Sequence, residues 1–176
     1  MTIAFSDEVS FGLMPNIRRT WAPRGQTPTV FFRHRYKRVN TIGAVCCTPD
    51  GENSQLHLQF SECSVNTEAN INFLNRLHRD VPGRIILIWD NLSVHKSCAM
   101  REYIAANSDW LTVHYFPAYA PELNPIEHVW SAIKGKDLAN QGPDTIAELG
   151  ALLKKADERL SSQPQILKGC MSELIS

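Results

Sequence analysis

Alternating hydrophobic and polar residues predict three strands in the first third of the chain. They cover residues 2–9, 38–47 and 54–60. The third has the clearest period of two, with Leu56 and Leu58 on one face and His57 on the other, which is typical of a half-exposed strand. Between the second and third strands, Pro49 and Gly51 are the residues that a tight turn prefers. We therefore predict a hairpin here, and an antiparallel meander once the first strand is included.

Helical patterns and buried strands alternate through the rest of the chain. The predicted helices are residues 67–79 capped by Thr67, 96–107, 124 to about 136, 146–160 capped by Asp144, and a short helix after Pro164; the predicted strands are 84–90 and 111–116. Ile85–Trp89 is apolar throughout, which favours a strand that is buried on both faces beside a parallel neighbour. This order predicts a single α/β domain over residues 1–176, in which the meander and two parallel strands form a mixed five-stranded sheet with helices on both faces.

A strongly basic segment is hidden by the net charge of zero. No acidic residue occurs between Val9 and Pro49. The same stretch contains seven basic residues, which are Arg18, Arg19, Arg24, Arg33, Arg35, Lys37 and Arg38. Aromatic residues such as Trp21 and Tyr36 are interleaved with them. Arginines and aromatics together suit a nucleic acid, which offers phosphates and stacking faces, whereas a solvated loop with scattered charges is the alternative interpretation.

Nothing in the sequence resembles a secretion signal or a membrane span. The five cysteines form no CxxC pair, and we interpret them as reduced thiols. The longest apolar run is Ile85–Trp89, which is too short to cross a bilayer, and the first residues lack a signal-peptide pattern. These features predict a cytoplasmic protein without a membrane partner.

Two aspartates lie where such a sheet would bring them together. Asp7 shares a strand face with Ile3 and Phe5, and Asp90 ends the apolar fourth strand. If those strands are parallel neighbours, the two carboxylates lie side by side and repel each other unless a cation lies between them. Carboxylate oxygens suit Mg²⁺ or Mn²⁺. Two alternatives stay open: Asp7 on an edge strand facing water, and Asp90 in a turn that only ends its strand.

Glu127 is a third candidate acid, in the first turn of a predicted helix. With Asn124 as the cap and Pro125 as the first helical residue, Glu127 takes the third position of a capping box. That structural role is sufficient to explain the glutamate. The same rigid turn would also aim its carboxylate at the two aspartates, so the two interpretations are compatible.

Two long motifs resemble those of a known family. They are DNLSVHK from Asp90 and FPAYAPELNPIEHVW from Phe116; RRTWAPRGQTP from Arg18 matches a third segment. Over roughly residues 3–136 the chain resembles the Asp-Asp-Glu (DDE) transposases of the Tc/mariner superfamily, and most of all their bacterial insertion-sequence branch. The 36 residues between Asp90 and Glu127 are close to the usual spacing of that family. The resemblance implies a ribonuclease-H-like fold, with Asp7, Asp90 and Glu127 as the metal-binding catalytic acids.

The resemblance also implies a reaction, a cofactor and partners. Two Mg²⁺ or Mn²⁺ ions per active site would serve phosphodiester hydrolysis at transposon ends, and the new 3′-hydroxyl would then attack target DNA at a TA dinucleotide. The partners would be double-stranded DNA and a second copy of the chain in a homodimer, associated with the bacterial nucleoid. Family members usually carry an N-terminal helix-turn-helix module that reads the transposon ends. Because this chain begins almost at Asp7, we expect that module to come from another reading frame, or to be truncated or lost.

Five further residues are candidates for supporting roles. Asn91, His95 and Asn124 are expected to orient the carboxylates from a second layer, since carboxylate ligands need hydrogen-bonding partners. His95 matches a histidine common in the family, which would contact phosphate or orient a neighbouring residue; a purely structural role is the alternative. Lys134 and Lys136 follow Glu127 on the same helix and would meet backbone phosphates, or else would form a solvated face.

Two other functions fit the same residues. The chain could be a catalytically silent, DNA-binding remnant of a transposase, or another ribonuclease-H-like nuclease that acts on RNA–DNA hybrids or junctions. The presence of all three acids argues against the first. The Asn-Pro-Ile-Glu string ending at Glu127 argues against the second.

Overall fold

A computed structural model of the chain describes residues 1–32, 35–51, 53–117 and 120–175. Its strands are β1 (Thr2–Gly12), β2 (Arg38–Cys47), β3 (Gln55–Ser61), β4 (Ile85–Trp89) and β5 (Leu111–Tyr115). Its α-helices are α1 (Thr67–Asp80), α2 (Cys98–Ala106), α3 (Ile126–Ala132), α4 (Ile146–Ser161) and α5 (Pro164–Ile175). Short 3₁₀ turns cover Ser93–Lys96 and Pro121–Leu123, and a π-helical turn covers Ile133–Asp137.

β1 lies in the middle of a five-stranded sheet with the order β3-β2-β1-β4-β5. It pairs antiparallel with β2, which pairs antiparallel with β3, and it pairs parallel with β4, which pairs parallel with β5. The predicted mixed sheet is therefore confirmed. The edge-strand alternative for Asp7 is wrong, because β1 has a neighbour on each side.

Helices cover both faces of the sheet and enclose two hydrophobic cores. On one face α1 and α2 bury Phe73, Leu74 and Met100 against β4 and β2. On the other face α3, α4 and α5 pack Trp130, Leu153 and other apolar side chains against β1, β2 and β3. Successive residues of β1 consequently point into different cores, which is the normal consequence of the strand's period of two. Within the described ranges, no helix is both long and apolar enough to cross a membrane.

Two predicted helix caps were wrong by one residue, and one predicted helix start was wrong by two. Asn66, not Thr67, caps α1, and its side chain accepts a hydrogen bond from the Ala69 amide. Thr145, not Asp144, caps α4. The helix predicted from residue 96 begins at Cys98, because the Ser97 side chain caps it. In each case a neighbouring polar side chain that can also cap a helix made the sequence ambiguous.

Two element ends also differ from the prediction. β1 runs three residues beyond Val9, because Phe11 and Gly12 continue to pair with β2. The helix that carries Glu127 changes from α to π geometry at Ile133, where the Leu138 amide bonds to the Ile133 carbonyl.

Candidate active site

Asp7 is held inside the sheet by an aromatic side chain from α3. Its Oδ2 accepts a hydrogen bond from Trp130 Nε1 at 2.9 Å. The pKa of Asp7 is raised to about 7: burial raises it most, the nearby charges of Glu127 and Glu8 also raise it, and the Trp130 hydrogen bond opposes them. The carboxylate therefore lies in surroundings that disfavour its own negative charge.

A glycine on the neighbouring strand makes room for that indole. Gly43 is paired with Asp7 across β1 and β2. A Cβ atom at this position would lie 2.5 Å from the ring of Trp130 and 2.8 Å from the side chains of both Ile126 and Leu58. The missing side chain thus lets Trp130 pack against the sheet beside Asp7.

Replacing Gly43 by Ala is expected to lower the free energy of unfolding by about 1–3 kcal/mol, because the new methyl group overpacks a close-packed site. Urea denaturation measures the change. Gly12→Ala is the matched control, since a Cβ atom there meets nothing closer than 3.9 Å. Equal stability of the two variants would mean that Trp130 can move aside, and that its bond to Asp7 is not sterically fixed.

Asp90 directly follows β4, at the end of the sheet where Asp7 lies in β1. The two strands pair from Thr2 and Ile85 up to Phe5 and Ile88, and the same register continued by two residues would set the backbone of Asp7 opposite that of Asp90. The strand-ending turn predicted as an alternative is also present, because Asp90 Oδ1 accepts a hydrogen bond from the Leu92 amide at 3.0 Å. The local role therefore coexists with a position at the same end of the sheet as Asp7.

Glu127 projects from a helix start that is tied directly to β1. Asn124 Nδ2 donates to the carbonyl of Ser6 at 3.2 Å, and Asn124 Oδ1 accepts from the Ile126 amide at 3.4 Å. The buried Asn124 thus fixes the first turn of α3 against the residue that precedes Asp7. Glu127 lies close enough for its charge to raise the pKa of Asp7.

These carboxylates fit a divalent cation by their chemistry. Asp7 combines burial with the charges of two neighbouring glutamates, and a cation would relieve both penalties on its charged form. Within the described ranges, however, no three His, Cys, Asp or Glu side chains are close enough together to hold a metal ion. The acids share one end of the sheet, and their side chains would have to turn toward a bound ion.

The candidates for supporting roles occupy distinct positions. His95 is fully buried, and its Nδ1 lies 2.9 Å from Asp90 Oδ1. Asn91 is exposed, and its Nδ2 donates to the carbonyl of Phe116 at 2.6 Å, which joins the ends of β4 and β5. Asn124 contacts β1 as described above. Of the three, His95 is the one whose side chain lies within 3 Å of the carboxylate of a candidate acid.

Glu8 is a site residue that the sequence reasoning missed. Its Oε1 lies 2.8 Å from His95 Nε2, and its side chain is only 12% exposed. Burial of the His95 ring favours its neutral form and so lowers its pKa. The hydrogen bonds and charges of Glu8 and Asp90 favour the protonated ring, and their combined effect is larger, so the pKa of His95 is raised. The sequence contained a signal for Glu8. Adjacent residues of a strand face opposite sides of the sheet, so Asp7 and Glu8 cannot share one site face, and only Asp7 had been given a role.

Most of the predicted DNA-binding residues that the structure describes are exposed. We call residues 13–32 and 35–37 the basic loop. The side chains of Arg18, Arg19, Trp21, Arg24, Arg35, Lys37 and Arg38 are exposed, and Trp21 is completely so. Arg33 lies outside the described residues. In the π turn after α3, Lys136 is exposed and Lys134 is partly buried.

The basic loop is attached to the chain that follows α3. Asn16 forms a β-bridge with Ala139, and the amide of Arg18 donates to Asn140 Oδ1 at 2.9 Å. The guanidinium of Arg18 approaches Gly135, which lies between Lys134 and Lys136. Two basic segments more than 100 residues apart in the sequence therefore meet on one surface.

Comparison with known proteins gives a match over most of the chain. The model of the DDE superfamily endonuclease family matches residues 2–149. An uncharacterized 39 kDa protein of insertion element IS630 from Shigella sonnei is 29% identical over 140 residues, which are 74% of this chain and 37% of that protein. The chain thus spans 37% of the length of this relative.

Solved structures share the fold. Mos1 transposase, in a paired-end complex with the left transposon end, superposes with a TM-score of 0.61 and 21% identity over 97% of this chain and 55% of that chain. The Mos1 transposase catalytic domain, in a structure with raltegravir and Mn, gives a TM-score of 0.56 and 19% identity over 97% of this chain and 82% of that chain. The sheet described above is accordingly the ribonuclease-H-like sheet of transposase catalytic domains, as the resemblance implied.

Proposed function

The chain belongs to the DDE superfamily endonuclease family, and we propose that it is the catalytic domain of a transposase that cuts transposon-end DNA and joins it to target DNA. One observation carries the proposal. Asp7 and Asp90 are neighbours in the continued register of β1 and β4, and the charge of Glu127 acts on Asp7 from the anchored start of α3. Three acids far apart in the sequence thus share one end of the sheet, where ligands of open α/β sheets commonly bind.

In this proposal Asp7, Asp90 and Glu127 hold two Mg²⁺ or Mn²⁺ ions. The Mos1 catalytic domain solved with Mn supports this class of ion. When bound, two such ions supply positive charge that stabilises the attacking and leaving oxygens of a displacement at phosphorus. Trp130 keeps one oxygen of Asp7 in place by its hydrogen bond, and Asn124 keeps the start of α3 against β1.

The proposed reaction has two displacements. Water first attacks the phosphorus at a transposon end, and the departing 3′-oxygen takes up a proton and becomes a 3′-hydroxyl. That hydroxyl then attacks target DNA, proposed to be at a TA dinucleotide, loses its proton and displaces a second 3′-oxygen. No covalent bond to the protein forms. A homodimer would let two such domains act on the two ends of one transposon.

The basic loop and the π turn after α3 are proposed to bind the DNA backbone. Arg18→Ala and Lys136→Ala are each expected to reduce the slope of log affinity against log salt by about 0.9, because each removes one phosphate contact. Fluorescence anisotropy with duplex DNA at several salt concentrations measures the slope. Arg79→Ala is the control, because Arg79 is exposed at the end of α1 on the opposite face of the sheet. Unchanged slopes for both loop variants would remove this surface from the interface.

A substrate panel tests the proposed function. The chain is incubated with Mg²⁺ or Mn²⁺, with an end-recognition module supplied in trans, and with duplex DNA carrying transposon ends, scrambled duplex or RNA–DNA hybrid. We expect cleavage of end-bearing DNA that requires the metal and leaves 3′-hydroxyls, which a DNA polymerase can extend. Cleavage of the hybrid alone would instead support another ribonuclease-H-like nuclease. Binding without cleavage under every condition would support a silent remnant.

A further inference from the structure

His95 joins Glu8, in β1, to Asp90, the residue that follows β4. Its Nε2 lies 2.8 Å from Glu8 Oε1, and its Nδ1 lies 2.9 Å from Asp90 Oδ1. The ring is fully buried and stacks on Trp89 at 3.9 Å between ring centroids, with only 5° between their planes. Nε2 shares a hydrogen bond with Glu8 Oε1, and Nδ1 shares one with the backbone carbonyl of Asp90 at 3.3 Å, so both ring nitrogens are occupied by these two residues. The orientation of the imidazole is thus fixed by three partners.

The arrangement engages one oxygen of Asp90 and leaves the other available. The Leu92 amide donates to Oδ1, and His95 Nδ1 lies 2.9 Å from the same oxygen while it shares a hydrogen bond with the backbone carbonyl of Asp90. Within the part of the chain that the structure describes, no hydrogen bond reaches Asp90 Oδ2. The Asp90 side chain is 40% exposed, whereas that of His95 is 1% exposed. A carboxylate that is held by one oxygen presents the other oxygen in a defined direction. Hydrogen bonds to metal ligands commonly orient them in this way.

Stability alone does not explain Glu8. It is largely buried, and its Oε2 has no hydrogen-bonding partner among the described residues. A buried carboxylate with an unmatched oxygen is costly, and buried ion pairs often contribute less than apolar residues of similar size. Glu8 follows Asp7 directly in β1, but its side chain faces the other side of the sheet. Its connection to Asp90 is made by the His95 ring, which lies between the two side chains.

We propose that Glu8 and His95 are positioning residues that hold Asp90 by its backbone carbonyl and by Oδ1, so that Oδ2 is presented to a divalent cation. This inference depends on the proposed function, in which Asp90 is a cation ligand. Glu8 acts through His95 rather than on the cation. The two residues therefore form one unit, whose loss weakens cation binding without removing a ligand.

The test is a double-mutant cycle read by Mn²⁺ affinity in isothermal titration calorimetry, with the full chain and no DNA. Glu8→Gln and His95→Phe, which keeps a ring to stack on Trp89, are each expected to weaken Mn²⁺ binding by about 10- to 100-fold. In the His95→Phe background, Glu8→Gln should add little, because the two act as a unit. The double variant also removes the unpaired buried charge, so it remains informative if His95→Phe alone folds poorly.

Control variants separate the possible failures. His57→Gln alters another histidine near a carboxylate, 3.7 Å from Asp80 and at the far side of the sheet, and should leave Mn²⁺ affinity unchanged. In cleavage assays, Glu8→Gln should require 10- to 100-fold more Mn²⁺ for half-maximal rate and should recover at saturation, which a general loss of folding would not produce. Unchanged affinity in Glu8→Gln, when Asp90→Asn does lose binding, would overturn the positioning role alone. Unchanged affinity in Asp90→Asn would overturn the proposed function as well.

Discussion

Replacing Asp90 by Asn is expected to lower the rate of metal-dependent DNA cleavage by at least about 100-fold. The substitution keeps the size of the side chain and an oxygen that can accept the Leu92 amide hydrogen bond. It removes the negative charge that is proposed to hold a cation. Metal ions contribute several kcal/mol to such displacements, and each 1.36 kcal/mol corresponds to about tenfold in rate. The cleavage rate at saturating Mn²⁺, measured on end-bearing duplex DNA, gives the size of the loss.

Asp109→Asn is the matched control for that experiment. Asp109 is exposed and precedes β5, so it lies at the opposite end of the parallel strands from Asp90. Its replacement should leave the rate unchanged. If Asp90→Asn cleaves as fast as the wild type under the same conditions, the DDE assignment of this residue is wrong, whatever the DNA affinity of the variant.

The sequence predicted the sheet well because its strands differ in burial. The uninterrupted apolar run of β4 is possible only in an interior strand, and the alternation in β3 requires one exposed face. The helix starts were harder to predict, because Asn66 and Thr67, or Asp144 and Thr145, are adjacent residues that can each cap a helix. Caps differ by about 1 kcal/mol or less, which packing readily outweighs.

The candidate acids were found because each stands out from its neighbours in the sequence. The residues that position them, Glu8 and Trp130, were missed because they act through contacts between distant parts of the chain. Asp7 interrupts an apolar strand face, and Asp90 ends an apolar run. Glu8 finds its partner 87 residues away, and Trp130 reaches Asp7 across 123 residues. Such contacts follow from strand order and from the space at Gly43, neither of which a local pattern contains. The π turn is similar, since Asp137 is held by Arg159 from α4.

Asp7 has a cost in stability that a bound cation would offset. Its folded-state pKa of about 7 exceeds the value of roughly 3.9 for an unfolded chain. Between about pH 4 and pH 7, the native state therefore binds more protons than the unfolded state, and stability falls as the pH rises. Above pH 7 the full cost is present, and below about pH 4 it is absent. A divalent ion that binds only the native state would restore stability by mass action.

Replacing Asp7 by Asn is therefore expected to stabilise the metal-free protein at pH 8 while abolishing cleavage. Asn keeps an oxygen for the Trp130 hydrogen bond and has no charge to desolvate. Thermal unfolding in EDTA should give a Tm several degrees above the wild type at pH 8, and the difference should vanish near pH 4. Saturating Mn²⁺ should raise the Tm of the wild type more than that of the variant, because the variant lacks a ligand. The contrary result is a variant that is less stable than the wild type at pH 8 and whose Tm rises as much with Mn²⁺. That result would show that Asp7 is a structural residue, because a cation ligand is expected to destabilise the protein without the ion and to stabilise it when the ion is bound.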